Sequence, residues 1–297
     1  MTRVGVVQTC TGIDAAANAD TLVAAIAELA GQGADIVFTP EMSGLLDRDR
    51  VRSARAVTTE DADIVLAAAR TAAAGHGMWV QLGSLALMVP GTGRRVNRAF
   101  LIGPDGGIAA RYDKLHLFDV DLPNGERYRE SATYAAGDRA VTAATPFGTV
   151  GLTICYDVRF PALFADLANA GAELIAVPAA FTVPTGVAHW HVLLRARAIE
   201  TGAFVVAAAQ TGTHADGRTT FGRSLVVDPW GTVVLDMGTA PGTAVVDLDL
   251  AEVAATRARL PSLAAARPFV SALTAAAPEP TRVARAPVAQ PDRATVS

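Results

Sequence analysis

The chain has 297 residues, 51% of them apolar, with 25 Lys and Arg against 29 Asp and Glu and a net charge of −4. This length allows one large α/β domain or two smaller ones with a sizeable core. No long basic run occurs, so nucleic acid is not an expected partner. The only two cysteines, Cys10 and Cys155, cannot make a disulfide framework, which fits a reducing compartment, the cytoplasm.

The opening MTRVGVVQTC enters a strand pattern at once. It lacks a charged segment followed by a long apolar one, so no signal peptide is expected. No uncharged apolar stretch reaches the roughly 18 residues of a membrane span, and no membrane association is expected.

Val4 to Gln8 reads as a buried strand, and Asn18 to Gly31 as a helix with Leu22, Ile26 and Leu29 at helical spacing. Asp35 to Phe38 is a second strand, followed by Thr39-Pro40-Glu41. A helix over Asp61 to Ala74 ends at Gly75-His76-Gly77, and Met78 to Met88 is a strand. A turn at Gly91 to Gly93 leads to a strand at Val96 to Ile102. Gly103-Pro104-Asp105-Gly106-Gly107 signals a hairpin whose return is Ile108 to Tyr112.

Residues 119–139 lack periodicity and read as a long loop, a length usually functional in a compact domain. Val141 to Ala144 and Thr149 to Ile154 form a strand pair, and Phe160 to Ala170 a helix. Leu174 to Val177 is a strand, then a loop runs to Gly186. Val187 to Glu200 is a helix and Phe204 to Ala209 a strand. Ser224 to Val227 and Thr232 to Leu235 flank a turn at Asp228-Pro229-Trp230-Gly231. Ala244 to Leu248 is the last strand and Ala251 to Arg259 a short helix. Hairpins mixed with βα alternation predict an α/β fold with mixed sheets and helices outside. The glycine-rich fingerprint of a dinucleotide fold is missing after the first strand. A domain over 1–272 is expected, with a flexible tail over 273–297, where Ala, Pro, Arg and Thr dominate.

Three strands end on reactive groups: Glu41 after Ile36 to Phe38, Lys114 after Ile108 to Tyr112, and Cys155 after Val150 to Ile154. Cys155 precedes Pro161, which is suited to the first position of a helix. A thiol before a helix N-terminus is one whose thiolate is favoured, although a lone cysteine is also commonly a buried small hydrophobe. Cys10 takes that second reading. If the three strands are neighbours, a carboxylate, an ammonium and a thiol converge at the strand ends, where open sheets hold their ligands. The carboxylate can take the thiol proton; the lysine can hold the thiol pKa down and stabilise an oxyanion. Taken singly, Glu41 reads better as a helix cap and Lys114 as a solvated strand-end lysine.

Thr39-Pro40-Glu41-Met42-Ser43, Tyr112-Asp113-Lys114-Leu115-His116-Leu117-Phe118-Asp119 and Gly151 to Pro161 stand in that order. Together they resemble the three signature segments of the nitrilase superfamily of carbon–nitrogen hydrolases. Further likeness to its Nit amidase branch lies in Ala188-His189-Trp190, Leu193 to Glu200, Gly222 to Gly231, Leu260-Pro261 and Arg267-Pro268. The resemblance implies a four-layer α-β-β-α sandwich and association through the outer helices as a homodimer or larger homo-oligomer. It implies Cys155 as nucleophile, Glu41 as general base, Lys114 as oxyanion stabiliser and Glu130 as a further glutamate that supports the lysine and orients substrate.

The implied reaction is hydrolysis of a small linear carboxylate-bearing amide, of deaminated glutathione or α-keto acid amide type, to acid and ammonia through a cysteine thioester. The triad alone leaves an N-carbamoyl amidase, a nitrilase or a non-catalytic binding member of the fold as alternatives. The Tyr156 N–H is the second oxyanion donor. Arg159 matches an arginine that grips a substrate carboxylate in related N-carbamoyl amidases, unless it pairs with Asp157. Phe181, Thr182 and Thr185 are expected in the pocket wall. No metal and no cofactor are expected, since His189 and His191, two apart on a helix, point away from each other. The family's glutamate after His189-Trp190 is His191 here, which matters only if the position faces the pocket. Phe269-Val270 replaces the usual ending after Arg267. Arg195, Arg197 and Glu200 are expected in an ion pair or subunit contact, and Trp190 and Trp230 in the core or an interface.

Overall fold

The computed structural model describes residues 1–122 and 125–269. The expected boundary at residue 272, the tail 273–297 and the position of Val270 lie outside the described residues.

The elements follow the apolar pattern of the sequence. In order they are β1 (Thr2–Gln8), α1 (Ala15–Gly31), β2 (Ile36–Phe38), α2 (Arg50–Ala56), α3 (Ile64–His76), β3 (Trp79–Met88), β4 (Arg95–Ile102) and β5 (Ile108–Asp113). A small hairpin, β6 (Asp119–Asp121) and β7 (Arg127–Arg129), comes next. Then come β8 (Val141–Thr145), β9 (Gly148–Leu152), α4 (Pro161–Asn169), β10 (Leu174–Ala176), α5 (Val183–Thr201) and β11 (Phe204–Ala207). The remainder is β12 (Thr211–Thr213), β13 (Thr219–Phe221), β14 (Leu225–Val227), β15 (Val233–Asp236), β16 (Gly242–Leu248), α6 (Ala251–Arg259) and α7 (Ser262–Ala265).

Two six-stranded mixed sheets carry the fold, ordered β16-β1-β2-β3-β4-β5 and β15-β14-β11-β10-β9-β8. The side-chain alternation of the strands explains how they stack. Val4, Val6, Ile36, Phe38, Ala99 and Leu101 of the first sheet pack with Val150, Leu152, Ile175 and Val205 of the second. The opposite face of the first sheet, with Val7, Val37, Val80, Leu82, Phe100 and Ile102, packs against Leu22, Ile26 and Leu29 of α1 and Leu66 and Ala69 of α3. Phe164 of α4 and Trp190 and Leu194 of α5 join the core of the second sheet. This is the α-β-β-α sandwich, built within Met1–Ala265.

The structure differs from the sequence reading in several places. The stretch read as a long loop, 119–139, holds the β6–β7 hairpin and a 3₁₀ turn, Glu130–Ala132. Each strand is only three residues long, too short for a period to show. α5 begins at Val183, not Val187, because Pro184 falls in its first turn, where proline is tolerated; Thr185 is therefore helical. α2 and the β12–β13 hairpin were not anticipated. Cys10 is exposed, not buried: it lies two residues past β1, and its thiol donates to the Thr213 carbonyl at 3.4 Å.

Candidate active site

Glu41 and Lys114 follow β2 and β5, which are not neighbours, since β3 and β4 lie between them. Cys155 follows β9 of the other sheet. The three groups converge all the same, because the ends of both sheets meet across the sandwich. β4 lies in the gap between β2 and β5 and carries Asn97, a fully buried amide.

Lys114 Nζ lies 3.0 Å from Glu41 Oε1 and 3.0 Å from Glu130 Oε2. Asn97 Nδ2 donates to Glu41 Oε1 at 2.9 Å and to Glu130 Oε1 at 3.3 Å. The second Glu41 oxygen accepts the Ala180 N–H at 2.8 Å, and the same carboxylate acts electrostatically on the Cys155 thiol. Glu130 Oε2 also accepts the Phe118 N–H at 2.7 Å. Sequence reasoning missed Asn97, whose signal was a lone amide in the otherwise strand-like run Val96 to Ile102.

The backbone is shaped to hold these groups. Cys155 has φ 50° and Met42 φ 56°, a left-handed conformation that costs a side-chain-bearing residue about 1–3 kcal/mol and marks a functional turn. The Cys155 N–H donates to the Pro178 carbonyl at 2.8 Å. The Glu41 carbonyl accepts from Gln210 Nε2 at 2.9 Å, and the Met42 N–H donates to Ser84 Oγ at 2.9 Å. Gly83 lets β3 approach this turn, since a Cβ there would stand 2.0 Å from the Thr39 carbonyl oxygen.

Asp157 joins the two sheets. Its buried carboxylate accepts from the Ile154 N–H at 2.9 Å, the Tyr112 hydroxyl at 2.7 Å and the His116 N–H at 3.1 Å, and His116 Nδ1 lies 2.7 Å away. The turn that carries Cys155 is thus fixed to the segment that carries Lys114. Asp157 does not pair with Arg159. The buried Arg197 guanidinium donates to the Val158 carbonyl and pairs with Glu200 at 2.6 Å, the ion pair expected on this helix. Arg195 donates instead to the Gly231 carbonyl.

The charges settle as carboxylate, ammonium and neutral thiol. Burial pushes the Glu41 carboxyl up, but Lys114, by charge and by hydrogen bond, more than reverses this and leaves it below its usual range. Burial would push the Lys114 ammonium down; Glu130 and Glu41 hold it well above its usual value. Burial, then the Glu41 charge, pushes the Cys155 thiol well up, and Lys114 only partly offsets them. The expectation that the helix end and the lysine keep the thiol pKa low is therefore corrected. Ahead of α4 stands a short 3₁₀ turn, Cys155–Arg159, and the Glu41 charge outweighs that of Lys114 at the thiol.

A cavity of about 490 Å³ opens over this cluster. Glu41, Lys114, Glu130, Cys155, Tyr156, Phe181, Thr182 and Thr185 all line it, and the two threonine hydroxyls lie 2.7 Å apart. Arg159 is not among its lining residues. Its guanidinium lies 5.4 Å from the Phe181 ring centre and 5.9 Å from that of Tyr156, with His189 Nδ1 at 3.4 Å. His191 does not line the cavity either; its Nε2 lies 3.1 Å from Asp236. Trp190 is fully buried and donates to the Arg223 carbonyl, while Trp230 is exposed. Among the described residues, no group of three or more His, Cys, Asp or Glu could hold a metal ion, and no helix is long and apolar enough to cross a membrane.

The carbon–nitrogen hydrolase family model matches residues 3–258. The chain belongs to that family, the class of hydrolases defined by this sandwich. Within it the chain is 41% identical to a deaminated glutathione amidase of Synechocystis over 237 residues, which cover 78% of this chain and 86% of that one. It is 37% identical to the human deaminated glutathione amidase over 269 residues, 89% of this chain and 82% of the relative. The crystal structure of the Caenorhabditis elegans NitFhit protein superposes with a TM-score of 0.83 at 36% identity, covering 90% of this chain and 65% of that one.

Proposed function

We propose that this chain hydrolyses the amide of a small carboxylate-bearing substrate through a Cys155 thioester. The observation that carries the reading is the Cys155 thiol in one cavity with the Glu41 carboxylate, whose oxygen lies 3.0 Å from the buried Lys114 ammonium. A thiol of raised pKa is a poor nucleophile until a base takes its proton, and Glu41 is in contact to do so.

In this mechanism Glu41 accepts the Cys155 proton as sulfur attacks the amide carbon. The developing oxyanion meets the Lys114 ammonium and the Tyr156 N–H, which lies in the first turn of the 3₁₀ segment where N–H groups have no partner inside the turn. Glu41 returns the proton to the leaving nitrogen and then activates the water that cleaves the thioester. Glu130 and Asn97 hold Lys114 and Glu41 in place throughout. A primary amide releases ammonia; a secondary amide, such as those of deaminated glutathione, releases the amine. The relatives' name, deaminated glutathione amidase, supports deaminated glutathione as the favoured substrate type, with an α-keto acid amide beside it. Phe181, Thr182, Thr185 and Tyr156 wall the acyl site, and Arg159 acts on it through the Phe181 and Tyr156 rings it covers.

The test is turnover of deaminated glutathione, α-ketoglutaramate, an N-carbamoyl amino acid and a simple nitrile by wild type and Cys155→Ala. Hydrolysis of the first two, abolished in the variant, is expected. Turnover of the carbamoyl compound or nitrile alone would overturn the substrate assignment. A thiol enzyme of this kind needs reducing surroundings, which favours the cytoplasm.

We infer in addition a homodimer or larger homo-oligomer. Val192 and Ile199 on α5 are 68% and 51% exposed, and Trp230, which shares a groove with Ile199, is 59% exposed. Sedimentation of wild type should give a dimer or larger species, and Val192→Glu a smaller one; a monomeric wild type would refute it.

A further inference from the structure

Arg95 opens β4, two residues before Asn97. Alternate residues of a strand face the same way, so both point to the side that carries the catalytic cluster. Arg95 is 8% exposed and lines the same cavity. Its guanidinium donates to Ser53 Oγ at 3.2 Å, and Tyr134, whose hydroxyl feels the Arg95 charge, lines the same cavity. No ion pair among the described residues includes Arg95. A guanidinium has five donors in a planar fork and cannot shed its charge. Here the uncharged Ser53 hydroxyl on α2 is the hydrogen-bond partner of its side chain, with Tyr134 beside it in the cavity wall.

The charge of the cluster gives this cation a task. Glu41, Glu130 and Lys114 sum to −1, with the thiol neutral. A substrate that carries a carboxylate would meet net repulsion there. The whole cavity wall holds seven cationic side chains against four carboxylates. Of the cations, Lys114 is committed to the glutamates, Arg129 to Asp121 at 2.9 Å and Arg218 to Asp216 at 3.3 Å. Among the carboxylates, Asp47 is engaged by Arg52 at 2.7 Å. Arg95 combines deep burial, cavity exposure and the absence of an acidic partner.

We propose that Arg95, with Ser53 and Tyr134, seats a carboxylate carried by the acyl part of the substrate. This rests on the amidase reading above and adds to it the residue that recognises the anion. Two residues along a strand span about 7 Å. That is the scale of separation between the carboxylate seat and the Asn97 amide, which touches Glu41 and Glu130. An acyl chain of a few carbons, amide at one end and carboxylate at the other, matches it: the monoamide of a short dicarboxylic acid. The seat is separate from Arg159, which does not line the cavity.

The experiment compares glutaramate with its neutral isostere glutaramide as substrates, and measures glutarate binding by calorimetry. In Arg95→Met the preference in kcat/KM for glutaramate over glutaramide should fall about 30-fold or more, mostly through KM, as for removal of one partner of a buried charge pair. Arg95→Lys should regain part of that preference. It also serves if the methionine variant fails to fold. Glutarate should bind wild type and bind Arg95→Met about 30-fold more weakly. Equal loss on both substrates, or an unchanged preference, overturns the proposal and leaves Arg95 a tether between α2 and β4. If wild type hydrolyses neither compound, the amidase reading fails for this substrate class and glutarate decides alone. Binding that depends on Arg95 then upholds the seat; absent or Arg95-independent binding overturns it.

Discussion

Asn97→Leu should move the acid limb of the pH–rate profile upward. The substitution keeps the volume of the side chain and removes the amide that donates to Glu41 Oε1 at 2.9 Å and to Glu130 Oε1 at 3.3 Å. Glu41 must be ionised to take the Cys155 proton, so kcat/KM falls on the acid side as Glu41 protonates. In the folded chain its pKa is below the usual value, because Lys114 and the hydrogen bonds outweigh burial. A hydrogen bond to a charged group is worth about 1.5–3 kcal/mol. The protonated acid keeps part of it, which leaves on the order of 1–1.5 kcal/mol favouring the anion. At about 1.4 kcal/mol per pKa unit, the limb should rise by about one unit. Above it, activity should recover most of its wild-type level, since Lys114 remains in place. The assay is kcat/KM against pH on a neutral amide, so that substrate ionisation does not intrude. An acid limb that stays put while the plateau drops would refute the reasoning and make Asn97 a packing residue.

Glu41→Gln should abolish hydrolysis, by a factor of about 10³ or more for loss of both base and proton shuttle. It should also lower the pH midpoint for alkylation of Cys155, because the Glu41 charge helps push that thiol up; peptide mapping after iodoacetamide treatment checks both cysteines. Gly83→Ala drives a Cβ to within 2.0 Å of the Thr39 carbonyl oxygen, and should cost at least about 3 kcal/mol, read as a fall in melting temperature, with loss of activity as the Glu41 turn shifts. Asp157→Ala removes the acceptor shared by Ile154, Tyr112 and His116. It should cost about 3–5 kcal/mol in denaturant unfolding and lower kcat more than it raises KM.

The sequence made the strands and three of the proposed catalytic groups legible for one physical reason. Strands buried on both faces read as unbroken apolar runs, and the runs Ile36 to Phe38 and Val150 to Ile154 lead to Glu41 and Cys155. What the pattern did not carry is what spans two sheets. Convergence was conditional on neighbouring strands, whereas β3 and β4 separate Glu41 from Lys114, and the element that closes the gap, Asn97, is one amide in a strand with no catalytic signature. The loop of Glu130 hid its hairpin because three-residue strands have no readable period. Arg95 hid for the opposite reason. It stands in Gly93-Arg94-Arg95, which reads as the solvated end of a turn, yet Arg94 stays outside, bound to the Ser131 carbonyl at 2.9 Å, while the next side chain turns inward because strand residues alternate. The polar groups that organise this site are therefore set by strand register, which decides whether a given Arg or Asn meets water or a buried carboxylate.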